Sequence, residues 1–223
     1  MELLTTSNTK LLKGEKKGYM SWILHLAPAD LSGKTVCAKA TAGCKAACLN
    51  TAGRGKMHTV QAGRLRKTRM YWDNREQFMA YLYADIHAGI ARAACEDLIP
   101  CFRFNGTSDI AWERERIGGK TIFELFPDVQ FYDYTKILNR KVSAYSNYHL
   151  TFSRAENNDR DVAKAIAAGM NVAAVFRELP ETYMGLPVFN GDESDLRFLD
   201  PRPCIVGLTA KGRARKDSSG FVV

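Results

Sequence analysis

Leu98-Ile99-Pro100-Cys101-Phe102-Arg103-Phe104-Asn105 is the stretch on which the fold turns. In an extended strand successive side chains face opposite ways, so Arg103 and Asn105 share one face and Phe102 and Phe104 the other. The alternation returns in Tyr132-Asp133-Tyr134-Thr135, where Asp133 and Thr135 oppose the tyrosines. It returns again in Leu150-Thr151-Phe152-Ser153, where Thr151 and Ser153 oppose the apolar pair. An open doubly wound sheet is apolar on both faces. One polar and one apolar face fit better a sheet rolled into a barrel, with helices outside and an interior furnished for a ligand. The competing reading is a half-exposed antiparallel sheet with its polar residues in water. The barrel reading places Arg103, Asn105, Asp133, Thr135, Thr151 and Ser153 inside. It pairs Arg103 with Asp133 on the adjacent strand, because a buried guanidinium needs a carboxylate.

On the amino-terminal side of this strand, residues 19–27 read as a first strand that Pro28 ends. A basic helical pattern follows over 56–72. A helix over 75–95 carries Phe78, Leu82, Ile86 and Ile90 as a buried stripe, with Cys95 in the core at its end. On the other side, strands are expected at 129–135, 148–153, 171–176, 187–190 and 204–209. Short helices lie near 121–126 and 159–168, and Gly169 stops the second. Repeated strand–helix units predict an α/β fold with a parallel sheet and right-handed crossovers, a partial TIM-barrel-like parallel barrel with outer helices. Residues 19–213 form its single domain. Residues 1–18 are a lysine-rich arm, and 214–223 an exposed tail that continues a basic run.

Functional residues in such a barrel gather at the carboxyl ends of the strands. The chemically capable groups there are Asn105, Ser108 and Asp109; Thr135 and Lys136; Ser153 and Arg154; Asp192 and Asp195; and Thr209 and Lys211. The acidic run 191–195 lacks EF-hand spacing and reads first as a loop.

Just past the first strand comes Cys37-Ala-Lys-Ala-Thr-Ala-Gly-Cys44-Lys-Ala-Ala-Cys48, which holds half of the chain's six cysteines. Small residues fill the gaps, so the backbone can fold closely around whatever the sulfurs hold. Three thiolates on a compact loop suit a soft metal, either an iron–sulfur cluster or zinc. A four-cysteine zinc knuckle shows a second close pair, absent here. A cuboidal cluster can sit on Cys37, Cys44 and Cys48 with one iron open or otherwise ligated. Three inert buried cysteines are the remaining reading. Cys204 begins the last strand, at the far end from this loop, and Cys101 reads as packing. His25 reads as a satisfied core histidine.

The formal net charge of +8 favours a polyanionic partner, nucleic acid first. Arg64, Arg66, Lys67 and Arg69 stand in a helical pattern with no acid among them, and such a face can track phosphates. No apolar run reaches the length of a membrane span, and the first residues lack an export signal, so the expected location is the cytoplasm.

First strand, cysteine loop, helix and further strand–helix units together resemble the radical SAM barrel, a superfamily that carries a [4Fe-4S] cluster on three cysteines after strand one. The chain is also similar to the phage gene product 88 family, known from mycobacteriophages. The matching features are Gly43-Cys44-Lys-Ala-Ala-Cys48, Arg103-Phe-Asn105-Gly-Thr-Ser108-Asp109, Tyr132-Asp133-Tyr134-Thr135-Lys136, Asp192-Glu-Ser-Asp195 and Gly207-Leu-Thr-Ala-Lys211-Gly. The resemblance implies Cys37, Cys44 and Cys48 as the ligands of a [4Fe-4S] cluster, and a host cytoplasm as its setting. Radical SAM chemistry on the open iron is an enzymatic version of the same reading. Two departures bear on S-adenosylmethionine. The cysteine spacing is x6 and x3 rather than x3 and x2, and Asn105-Gly106-Thr107-Ser108-Asp109 replaces the glutamate-bearing segment after strand two.

Overall fold

A computed structural model describes residues 1–6 and 13–223. Lys10, part of the expected arm, lies outside the described residues. Among the described residues, nine strands join one sheet in the order β1-β2-β3-β4-β5-β6-β9-β8-β7. They are β1 (Leu4–Thr5), β2 (Tyr19–Leu24), β3 (Ile99–Arg103), β4 (Gln130–Thr135), β5 (Tyr148–Ser153), β6 (Val172–Phe176), β7 (Thr182–Tyr183), β8 (Leu186–Asn190) and β9 (Ile205–Thr209). Strands β2 through β6, with β9 and β8, run parallel, and short antiparallel strands finish the two edges. No pairing between β1 and β7 closes the sheet among the described residues.

The helices are α1 (Ala42–Ala46), α2 (His58–Asp73), α3 (Arg75–Cys95), α4 (Ile122–Leu125) and α5 (Asp159–Ala167). Asn74 separates α2 from α3, and its side chain accepts a hydrogen bond from the Gln77 amide at 3.1 Å, capping α3. The α3 stripe Phe78, Leu82 and Ile86 is wholly buried and packs on Trp22, Phe102, Phe104, Phe131 and Leu150. Val162 and Ala165 of α5 do the same for Phe152, Val172 and Ala174. The opposite face meets residues 194–200 instead: Leu196 and Phe198 join Tyr19, Cys101 and Tyr132. In-order strands with these helices gathered on one face follow from successive crossovers of one hand.

Register corrects the assignment of the interior. Cys101 stands beside Gln130 and Phe102 beside Phe131, so Arg103 falls on the face of Tyr132 and Tyr134. Asp133 pairs with Leu150 and Thr135 with Phe152, on the helix-covered face. The polar alternations of β3 and β4 are therefore out of phase by one residue, which sequence alone does not fix. Arg103 consequently does not pair with Asp133. Its guanidinium meets Asp195 at 2.9 Å, with both side chains nearly buried. Thr151, on the face of Tyr134, remains on the expected side.

Three further expectations change. Leu3 and Leu4 are buried, β1 pairs with Leu24 and Ile23, and the Leu3 and Leu4 amides both donate to Asp85, so the first residues belong to the fold. Phe221 and Val222 are buried, and Val222 bridges to Val175 of β6, so the end of the tail is docked. Cys95, expected in the core, is exposed at the end of α3.

Candidate metal centre

Thr41 starts the short helix α1 inside the cysteine loop: its hydroxyl accepts from the Cys44 amide at 3.1 Å, an N-cap. The same hydroxyl donates to Glu156, just past β5, at 2.6 Å, and the Gly43 amide donates to the other carboxylate oxygen at 2.7 Å. Burial pushes the Glu156 carboxyl up, but the hydrogen bonds from Thr41 and Gly43 outweigh it and hold the group below the usual range. This clamp fixes the loop over the carboxyl ends of β2 through β6. Ala47 and Cys44 pack against Ala155, Ala210, Ala214, Phe221 and Val222, contributed by the segments after β5 and β9 and by the tail.

Cys37 is anchored from the other side. Its sulfur accepts from the Ala29 amide at 3.3 Å and lies 3.7 Å from the Thr107 carbonyl, and its backbone bridges to Asp109. Burial pushes the Cys37 thiol up to about 11, and charge on Asp109, Cys48 or Cys44 pushes it the same way. Burial also raises Cys48, while the Asn50 amide, Arg64 and Lys136 act in the opposite direction. All three sulfurs thus lie within one another's electrostatic reach. The donor chemistry suits a soft metal or cluster. Among the described residues, however, no group of three or more His, Cys, Asp or Glu side chains is gathered closely enough to hold a metal ion.

The segment after β3 forms the adjoining wall. Asn105 is its hub: Oδ1 accepts from Ser108 Oγ, the Ile110 amide and Trp112 Nε1, and Nδ2 donates to the Ile110 carbonyl. Asp109 accepts from Thr135 Oγ1 and from the Lys136 amide, both at 2.8 Å. Arg140 lies 3.7 Å from Asp109 and 2.6 Å from Glu113. Asn105, Ser108, Asp109 and Thr135 therefore hold the wall in place. Lys136 points its ammonium toward the Phe221 ring at 5.8 Å, where its charge also acts on Cys48.

The other expected site residues scatter. Asp192 pairs with Lys211 at 2.6 Å and accepts from the Thr209 amide, a closed unit at the edge beside β8. Ser153 gives its carbonyl to Asn158, while Arg154 binds the carbonyls of Gly220 and Phe221 and so holds down the tail. Asp195 serves Arg103 and, at 3.4 Å, the Tyr132 hydroxyl. The basic stripe of α2 is divided: Arg64 donates to Asn50 at 2.5 Å and Lys67 to the Leu3 carbonyl at 2.6 Å, while Arg66 and Arg69 are exposed. The four do not form one free basic face. His25 is held neutral: burial first, then Arg64, Arg103 and Lys67, lower it to about 3. Its Nδ1 finds no hydrogen-bond partner among the described residues, against the satisfied core histidine expected.

Sequence reading missed Glu156, Arg140 and Glu113. The Thr41-x-x-Cys44 spacing signals an N-cap, but nothing local announces a carboxylate more than a hundred residues away.

Two consequences of this packing can be measured. A Cβ at position 43 would collide with Ser219 Oγ and come within 2.9 Å of the Glu156 carboxyl. Gly43→Ala is expected to lift the tail from the loop, and limited proteolysis should cut residues 213–218 at least several times faster than in the parent; unchanged cleavage would mean that the clamp does not hold the tail. The second concerns Asp133, which accepts from the Asn105 amide at 2.6 Å and from Tyr148 at 2.9 Å. Burial dominates and raises its carboxyl from 3.8 to about 7. A raised carboxyl binds its proton more tightly in the folded chain, so this contribution to stability is full below about pH 4 and is lost between there and about pH 7. Asp133→Asn should flatten that part of a denaturation-midpoint profile against pH.

A family model described as Gene product 88 matches residues 2–223. No curated protein and no solved structure matches the chain.

Proposed function

We propose, for a chain that belongs to the gene product 88 family, that it is an iron–sulfur protein holding a cluster, [4Fe-4S] in the leading reading, on Cys37, Cys44 and Cys48. The observation that supports this is the presence of three thiols on one clamped loop. Each lies within electrostatic reach of the others, and the charges of Arg64 and Lys136 act on Cys48. Thiolate ligands carry negative charge, and those cations offset it. Burial raises the Cys37 and Cys48 thiols, so loading would release protons from them. A bound cluster supplies one-electron chemistry or an open iron. The chain's own residues position it: Glu156 and Thr41 fix the loop, and Asp109, Asn105 and Ser108 fix the wall opposite Cys37.

Parallel strands β2 through β6 in chain order, with helices on one face and the sulfurs past the first long strand, support a half-barrel of radical-SAM-like layout. On that layout a radical SAM enzyme is the alternative use of the same loop, and zinc is the alternative occupant. Anaerobic purification and reconstitution test all three. Brown protein with a broad absorption near 400 nm, on the order of the shoulder such thiolate clusters give, and matched iron and sulfide support the proposal. Colourless protein containing zinc overturns it. A change in the reduced cluster's EPR spectrum on adding S-adenosylmethionine would select the enzyme, and no change would leave a binding or redox role.

A further inference from the structure

The basic balance of the chain finds its outlet away from α2. Residues Leu49–Thr51 and Gly53–Lys56 form two short turns after the cysteine loop, and Gly212–Lys216 forms another after β9. The first and last of these are docked so tightly that a Cβ at position 212 would lie 2.8 Å from that of Ala52 and 3.2 Å from the Thr51 carbonyl, at a backbone φ of +57°. Only glycine is at ease there. The contact brings two cationic segments, far apart in sequence, to one surface: Arg54 and Lys56 on one side, Arg213, Arg215 and Lys216 on the other. All five are exposed, and none forms an ion pair among the described residues.

An open cleft of about 500 Å³ lies at this contact, lined by Thr51, Gly212, Arg213 and Lys216. The carboxylate nearest in sequence, Asp217, is turned away from it. Asp217 accepts from Ser219 Oγ at 2.7 Å and from the Val222 amide at 3.0 Å, and so is used in seating the tail. Lys211 is likewise spent on Asp192.

We infer that this basic cleft, lined by Arg213 and Lys216 with Arg54 and Lys56 on the adjoining turn, binds the phosphate backbone of a nucleic acid. Cations in an open cleft, with further exposed cations on the next turn, suit a strand that runs through and beyond it. An isolated phosphate would be better served by an enclosed pocket. The affinity is electrostatic and sequence-independent, and it falls steeply with salt because each neutralised phosphate releases counterions. The surface draws on neither the sulfurs nor their occupant, so it stands or falls separately from the cluster.

Fluorescence anisotropy with a labelled 20-nucleotide DNA strand, run on the full chain both as isolated and after reconstitution, provides the test. The probe length is about that of one protein footprint. The double variant Arg213→Ala/Lys216→Ala should weaken binding at least tenfold near 50 mM salt and lower the slope of log K against log salt by about 1.4, at roughly 0.7 per lost phosphate contact on a single strand. Arg54→Ala/Lys56→Ala should act in the same way. Arg66→Ala/Arg69→Ala, which removes the same charge from exposed α2, should change binding less than threefold. Equal losses from all three pairs would overturn the inference in favour of diffuse attraction, as would no measurable binding. Tight binding to vesicles containing anionic lipid, with none to DNA, would overturn it in favour of a membrane surface. Circular dichroism of each variant guards against misfolding; should Arg213→Ala/Lys216→Ala unfold, the affinity and salt slope of Arg54→Ala/Lys56→Ala decide the matter.

Discussion

Replacing any one of Cys37, Cys44 and Cys48 with alanine is expected to cut reconstituted iron and acid-labile sulfide more than tenfold, while Cys95→Ala leaves both unchanged. Loss of a single outer-shell partner already lowers metal affinity about 10- to 100-fold, so loss of a ligand should do at least as much. Cys95 is the internal control, an exposed thiol at the far end of α3. Misfolding does not supply a ready alternative. Cys37 loses its hydrogen bonds with the Ala29 amide and the Thr107 carbonyl, a cost of about 1 kcal/mol each. Cys44 and Cys48 are half-buried, and Cys44 packs beside alanines, Phe221 and Val222. Should all three variants retain iron in proportion to the parent, the sulfurs are not its ligands. Should only one lose it, the centre is built from other groups.

The second large effect is on stability. Asp195→Ala is expected to destabilise the chain by about 3–5 kcal/mol, the cost of leaving a buried partner charge uncompensated. The Asp195 side chain is 3% exposed and that of Arg103 11%, and the two meet at 2.9 Å. Tyr132 shares the same carboxylate, and the Arg103 guanidinium lies 4.6 Å from the Tyr134 ring, so the pair is packed as well as charged. Since a domain of this kind has only about 5–15 kcal/mol to lose, the shift in urea midpoint should be large. Replacing Arg103 and Asp195 together with apolar residues should cost much less than Asp195→Ala alone. A loss below about 1 kcal/mol for the single variant would mean that water reaches the pair and screens it.

Local pattern carried much of this architecture. The α3 stripe from Phe78 to Ile86 marks a helix with one buried face, and its ends fall at the expected 75 and 95. The parallel run of strands follows from their alternation with helices. What pattern could not give was phase between strands. Arg103 and Asp133 both sit in alternating segments, yet a one-residue offset in pairing sends them to opposite faces. The edge strand at Leu4–Thr5 is too short to show a period. For the site, three cysteines in one loop were visible at once, but their supports come from Glu156 and Phe221, and such long-range partners leave no local trace. Within α2, composition was legible and orientation was not: Arg64 and Lys67 are turned to Asn50 and Leu3.

The docking of Phe221 and Val222 against the cysteine loop sets an order of events during synthesis. The sulfur-bearing residues leave the ribosome before the residues that cover them, which follow all of the intervening strands. If the loop holds iron as proposed, an iron donor would meet it uncovered before that shelter arrives.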